Sequence, residues 1–181
     1  MLAEETGFDG LKVLRNFVSH DSRGIFVKTL NKGQFEQAGL HFEVQESYYS
    51  VSGKDVLRGM HFQLPPHAHQ KLVYVTEGQI LDVVVDLRAT SATYQQIFSL
   101  TLEAHTQALF IPQGFAHGFL TLSPTATVIY SVATGYEPSA DAGIRWDSLG
   151  FTWPVSQPVI SERDRAFPTL ADFASPFQNN I

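Results

Sequence analysis

Cysteine is absent from this sequence. That excludes a disulfide framework, a thiolate metal site and a cysteine nucleophile. Also missing is any apolar run approaching the roughly 20 residues that a membrane helix requires. Basic residues are in deficit: twelve Lys and Arg stand against eighteen Asp and Glu, a formal net charge of −6. Such a balance does not favour phosphate-backbone binding, so no nucleic-acid partner is expected. The opening Met-Leu-Ala-Glu-Glu-Thr lacks the basic and apolar regions of a secretory leader. The expectation is a cytoplasmic chain without a membrane partner. Internal repeats and low-complexity linkers are missing as well, so the 181 residues read as one domain, 1–181, with a frayed tail from about Ser175. With 44% apolar and 17% charged residues, the composition fits a globular fold and not a disordered one.

Helical signal is scarce. Residues 32–38 fit a short helix after a capping Asn31, residues 161–164 a single turn, and residues 166–174 one more short helix. What the chain has instead is a succession of short β-type runs rich in Val, Ile, Phe, Tyr and Thr. They cover 11–18, 23–30, 42–50, 55–63, 70–76, 79–88, 94–102, 107–111, 117–122 and 126–133, punctuated by Gly, Pro, Asp and Ser. Glu77-Gly78 reads as a tight turn between two of them. The run Leu81-Asp82-Val83-Val84-Val85-Asp86-Leu87 reads as a strand buried on one face, with acids at intervals on the other. Many short strands and little helix predict an all-β fold: a sandwich, barrel or jelly roll.

The histidines are placed informatively. His67-x-His69 before a strand, with a distant Pro112-x-Gly114-x-x-His117, is similar to the metal motifs of cupins, and three imidazoles suit a transition metal. Against that reading, Val73 and Tyr74 stand where such a motif has its carboxylate, and Lys71 puts a cation among the candidate ligands. A second reading is metal-free proton transfer. On an extended strand Arg58, Met60 and Phe62 face one way, and Gly59, His61 and Gln63 the other. A neutral histidine lifts protons near neutral pH, and a carboxylate on its other nitrogen fixes the tautomer, a part that Asp164 fits. Taken alone, His61 also fits an ordinary strand histidine.

A longer pattern bears on that choice. Asp21-Ser22-Arg23-Gly24-Ile25-Phe26, Val56-Leu57-Arg58-Gly59-Met60-His61-Phe62-Gln63, Lys71-Leu72-Val73 and Asp82-Val83-Val84-Val85-Asp86-Leu87-Arg88 come first. They are followed by Ile111 to Phe119, Ile144-Arg145-Trp146-Asp147 and Ser161-Glu162-Arg163-Asp164. In order and spacing, over about residues 11 to 172, this series resembles the dTDP-4-dehydrorhamnose 3,5-epimerase family. The resemblance implies a cupin-type jelly-roll β-barrel, usually a homodimer, that works without metal or organic cofactor. Its substrate class is a nucleotide-linked 4-keto-6-deoxy sugar. The protons at C3 and C5, acidified by the keto group, are removed and returned on the other face. By the same resemblance His61 is the base, Asp164 its partner, Tyr130 the proton donor on the opposite face, and Lys71 the cation beside the keto oxygen. Arg23, Arg58, His117, Tyr136, Asp141 and Arg163 fall at substrate-contacting positions, Tyr136 as the aromatic that stacks on the base.

The pattern is also edited. Lys28 replaces a substrate-contacting acid, and Gln45-Glu46-Ser47 stands for Gln-x-Asn, so Gln45 is read as a kept contact and Lys28 and Ser47 as altered ones. Tyr74 and Ser131 replace usual cations, Gly135 an aromatic, and His69 a usual Gln. A complete catalytic set with an edited recognition set fits a relative with another base, another sugar or a single inverted carbon. The alternatives kept beside it are a metal-dependent cupin enzyme using His67, His69 and His117, and a non-catalytic sugar-binding cupin.

Overall fold

The computed structural model describes residues 2–178. In chain order the strands are β1 (Leu2–Glu5), β2 (Lys12–Arg15), β3 (Phe17–Asp21), β4 (Gly24–Lys28), β5 (Glu46–Gly53), β6 (Leu57–Gln63) and β7 (Lys71–Glu77). They continue with β8 (Gln79–Asp86), β9 (Ile97–Glu103), β10 (Gln107–Ile111), β11 (Phe115–Thr121), β12 (Thr125–Val132) and β13 (Asp141–Gly143). The helices are α1 (Lys32–Gln37) and α2 (Glu162–Arg165). A six-stranded sheet, β1-β2-β10-β7-β12-β5, faces a five-stranded sheet, β13-β6-β11-β8-β9, and β3-β4 stands apart as a hairpin. All these strand pairs are antiparallel. This is the jelly-roll architecture that the family resemblance implies and one of the three that the strand-rich sequence allows.

Local chemistry explains several joints. Asn31 caps α1, its side chain accepting from Gln34 N at 3.1 Å. At the β7–β8 turn Gly78 has φ +77°, and a Cβ there would sit 2.0 Å from the Thr125 carbonyl oxygen, so the turn requires glycine. The expected strand 11–18 is two strands, β2 and β3, which diverge at Asn16, where the backbone N–H turns to the Thr106 carbonyl. No helix forms over residues 166–174: α2 ends at Arg165, and Pro168 lies just beyond. A proline disfavours helical geometry in the residue before it.

Three apolar clusters place the cavity. One fills the space between the sheets, with Val73, Ile80, Val84, Leu109, Phe119 and Val128. A second packs α1 and Phe42 on the outer face of the six-stranded sheet. The third covers the outer face of the five-stranded sheet with Trp153, Leu170 and Phe177 from the C-terminal segment. That third layer changes the reading of β8. Val83 and Val85 pack outward beneath the C-terminal segment, while Ile80, Asp82, Val84 and Asp86 point inward, so both aspartates are fully buried. The acids do not face solvent, because this sheet is covered on both sides. The tail is likewise docked further than expected. Phe177 is buried, Ser175 donates its hydroxyl to the Leu87 carbonyl, and Ala89 N donates to Phe177 O at 2.8 Å. Of the tail expected to fray, residues 179–181 lie outside the described residues. Among the described residues no helix is long and apolar enough to cross a membrane.

Candidate active site

A cavity of about 390 Å³ opens between the sheets. Its lining includes His61, Lys71, Tyr130, Arg58, His117, Tyr136, Asp141 and Arg163. The way β6 reaches it departs from simple alternation. Pairing with β11 runs His117↔His61 and then Phe119↔Arg58, so three steps on β6 match two on β11. This bulge puts Arg58 and His61 on the same cavity, where strict period-two geometry sets them on opposite faces. The bulge rests on two glycines in close contact. Gly59 has φ +143°, and a Cβ on it would come within 2.5 Å of Gly118 Cα.

His61 Nε2 donates to Asp164 Oδ1 at 2.9 Å. Asp164 is itself held: Gly59 N donates to its other oxygen at 3.1 Å, and its own N–H donates to the Ser161 hydroxyl that caps α2. Burial pushes this carboxyl up, but hydrogen bonds from His61, Gly59 and Ser161 outweigh it and bring its pKa to about 2. Asp164 is therefore a carboxylate at any working pH and, as an acceptor 2.9 Å away, favours the proton on Nε2, against the Arg163 Nη2 donor at the same distance. His61 Nδ1 makes no hydrogen bond among the described residues and carries a lone pair when Nε2 holds the proton. Burial lowers the His61 pKa, Asp164 opposes that, and Lys71 and Arg163 add to it. The ring is thus neutral near neutral pH. Arg163 spans Asp141, at 2.7 Å, and the dyad, with Nη2 2.9 Å from His61 Nε2.

Lys71 is 7% exposed and donates to the His61 carbonyl at 3.3 Å. Burial depresses its pKa to about 8, with Asp141 and Asp82 pulling the other way, so it keeps most of its charge at neutral pH. On the other wall Tyr130 lies against Tyr48, ring centroids 5.0 Å apart and nearly parallel, with its hydroxyl 3.4 Å from Ser50 Oγ. Burial raises the Tyr130 hydroxyl above its ordinary value, so it holds its proton until a strong base appears. His117 meets the Tyr130 ring edge-on at 6.1 Å and bonds Asp82 Oδ2 at 2.8 Å. The other Asp82 oxygen is buried, with no partner among the described residues. The arrangement offers a base, a cation and a weak acid around one space, as proton abstraction beside a carbonyl requires.

Four expected contacts are not on this cavity. Arg23 and Lys28 lie on the exposed β3–β4 hairpin, where Arg23 pairs with Asp21 and Lys28 Nζ lies 6.0 Å from the Phe17 ring centroid. Gln45 and Ser47 are on the wrong parity of the chain entering β5. The residues that face the cavity are Glu46, Tyr48 and Ser50, while Ser47 turns back to the Tyr130 carbonyl. A one-residue shift in register exchanges the two faces of a strand, and only the pairing of β5 with β12 fixes it. Gln63 and His69 also line the cavity. The three-imidazole metal set does not assemble: among the described residues no three His, Cys, Asp or Glu are grouped to hold an ion. His117 is bonded to Asp82, and His69 Nδ1 is engaged by Gln63 and Thr134.

Fold and site together define a cupin-type barrel built for proton transfer. The family model described as dTDP-4-dehydrorhamnose 3,5-epimerase matches residues 5–172, and the chain belongs to that family. It is 40% identical over 174 residues to the dTDP-4-dehydrorhamnose 3,5-epimerase of Methanothermobacter thermautotrophicus, covering 93% of this chain and 94% of that one. Among solved structures, the Bacillus anthracis dTDP-4-dehydrorhamnose 3,5-epimerase with TDP and PPi bound superposes with TM-score 0.90 and 38% identity, over 93% of this chain and 99% of that one. The Legionella pneumophila dTDP-6-deoxy-D-glucose-3,5-epimerase in complex with dTDP-4-keto-L-rhamnose gives TM-score 0.91 and 31% identity, over 98% and 96%.

Proposed function

We propose that this chain epimerises a nucleotide-linked 4-keto-6-deoxy hexose at C3, C5 or both, in deoxysugar biosynthesis in the cytoplasm, with dTDP-4-dehydro-6-deoxyglucose as the leading substrate. The observation that carries the reading is the single cavity lined by His61, backed by Asp164, together with Lys71 and Tyr130. The C3 or C5 proton passes to His61 Nδ1, and the electron pair of that C–H bond moves into an enolate across C4. Lys71 stabilises the oxyanion. Tyr130 then delivers its hydroxyl proton to the opposite face. The tyrosinate is reprotonated and His61 deprotonated by solvent. None of these steps calls for a metal or an organic cofactor.

The working unit in this proposal is a homodimer. The β3–β4 hairpin exposes Phe17, Ile25 and Phe26, and the edge strand β5 exposes Tyr49 and Val51. Exposed apolar side chains on an open strand edge suit a second copy. Pairing there would carry Arg23 and Lys28 toward a partner's cavity, which explains why neither lines its own. Incubation with 4-keto nucleotide sugars in D₂O tests the reading. Deuterium at C3, C5 or both, with the inverted sugar formed, supports it. Absence of exchange across thymidine-, cytidine- and guanosine-linked substrates overturns it.

A further inference from the structure

His69 stands in the cavity wall two residues before Lys71, and Gln63 two residues after His61. Hydrogen bonds around this pair determine where the His69 proton sits. Gln63 Oε1 accepts from Glu137 N at 2.7 Å, which orients the amide. Its Nε2 is therefore the donor, and it faces the His67 carbonyl at 3.0 Å, the Gly135 carbonyl at 3.3 Å and His69 Nδ1 at 3.0 Å. An amide N–H₂ this close to Nδ1 disfavours a proton there, since two donors would meet. Thr134 Oγ1 lies 2.9 Å from the same nitrogen and 3.3 Å from the His67 carbonyl, and its one hydroxyl hydrogen goes to the nearer of the two. With Nδ1 an acceptor, the proton of a neutral ring is on Nε2. Nε2 has no hydrogen-bond partner among the described residues, and His69 is one of the residues that line the cavity.

We propose that His69 is a fixed hydrogen-bond donor to the substrate, holding Nε2–H toward an acceptor oxygen of the nucleotide-linked sugar. The identity of the ligand rests on the epimerase reading above; the tautomer does not. Burial, with Lys71 nearby, lowers the ring's pKa to about 3. The donor therefore stays neutral and unchanged across the working pH range, unlike a surface histidine that charges near pH 6.5. The acceptor belongs either to the sugar or to the diphosphate. Both sources present an oxygen with a free lone pair, and the experiment below separates them.

Two substitutions divide the ring's functions. His69→Gln places an amide N–H near the position of Nε2 and gives up the Nδ1 acceptor. His69→Asn keeps an acceptor near Nδ1 and gives up Nε2–H. The expected result is a KM raised about 5- to 10-fold by His69→Asn, the ordinary worth of one hydrogen bond, with the loss falling on KM and not on kcat. His69→Gln is expected to stay within about twofold of wild type. Calorimetric binding of thymidine diphosphate alone then assigns the acceptor. Weakened binding in His69→Asn puts it on the nucleoside diphosphate, and unchanged binding with a raised KM puts it on the sugar. The reverse order, Asn near wild type and Gln impaired, overturns the proposal and leaves His69 a structural link. Should either variant fail to fold, ¹⁵N-labelled wild-type protein gives an independent reading. A protonated Nε2 whose resonance moves on adding thymidine diphosphate or the keto sugar supports the proposal, whereas a protonated Nδ1, or an Nε2 resonance moved by neither, overturns it. Neither the calorimetry nor the ring resonances require turnover, so failure of the epimerase reading would be seen separately, as missing exchange in D₂O.

Discussion

Asp82 and Asp86 sit on one strand, four residues apart, on the same inward face, and both are 0% exposed. Their surroundings differ completely. Asp86 Oδ1 accepts from Arg88 N and Nε, each at 2.9 Å, and Oδ2 from Arg88 Nη2, Ser91 and Thr93 at 2.6 to 2.8 Å. Arg88 continues to the Asp9 carbonyl at 3.1 Å and lies 4.5 Å over the Phe115 ring. Burial alone would raise this carboxyl, but the bonds from Arg88, Ser91 and Thr93 more than reverse it. Asp82 instead has one partner among the described residues, His117, and one bare oxygen. An unpaired buried acceptor costs about 1–3 kcal/mol. The contrast shows where the barrel is completed for stability and where it is left open for chemistry.

The largest expected effect lies at the open end. His61→Ala should lower kcat by about 10²- to 10³-fold, the scale of a lost general base, with the melting temperature little changed. Near-full activity would remove His61 from the mechanism. At the closed end the same kind of change should act on stability. Asp86→Ala leaves Arg88 buried and unpaired, which costs about 3–5 kcal/mol. Chemical denaturation measures that loss, and kcat per folded molecule should hold near wild type; a loss below about 1 kcal/mol would dissolve the contrast. Tyr130→Phe should keep binding and packing while separating two observables: exchange of substrate hydrogen for deuterium continues, and formation of the inverted sugar falls steeply. Inversion at the wild-type rate would assign the proton to another donor.

The smallest effect concerns pH. The active form needs His61 neutral and Lys71 charged. Burial lowers the histidine, so activity should persist below its ordinary value of 6.5 before falling on the acid side. It should fall on the alkaline side near pH 8, where Lys71 loses its proton. Asp82 helps keep that proton, so Asp82→Asn should move the alkaline limb to lower pH while leaving stability nearly intact. An alkaline limb that does not move would show that the bare Asp82 oxygen has no electrostatic role at Lys71.

Much of this was legible in the sequence, for reasons that differ by residue. His61, Lys71 and Asp164 could be proposed because each lies in a local run of characteristic residues, and Tyr130 only through the family resemblance. Strand positions could be placed because Val, Ile and Tyr runs alternate with turn residues. Contacts that depend on parity were not legible. Glu46, Tyr48 and Ser50 were missed in favour of Gln45 and Ser47, since only cross-strand pairing with β12 sets that register. Arg58 and His61 share a cavity only through the bulge at Gly59, and a bulge inserts one residue without a marker in the composition. The inward placement of the aspartates on β8 was not legible, because it is the distant C-terminal segment that covers Val83 and Val85 on the outer face and leaves Asp82 and Asp86 the face between the sheets.

That covering segment also supplies Asp164, whose hydrogen bond to His61 closes a loop of 103 residues. The same stretch of chain seals the apolar back of the five-stranded sheet and favours one tautomer of the base. Synthesis runs from the N-terminus, and the strands carrying His61, Lys71 and Tyr130 emerge before their covering layer. An unfinished chain would therefore expose a sticky sheet and have an unoriented base. Under the proposed mechanism, activity would report that this segment has been made and has docked, so a specific-activity assay on chains shortened before Ser161 would report on completeness of folding as much as on chemistry.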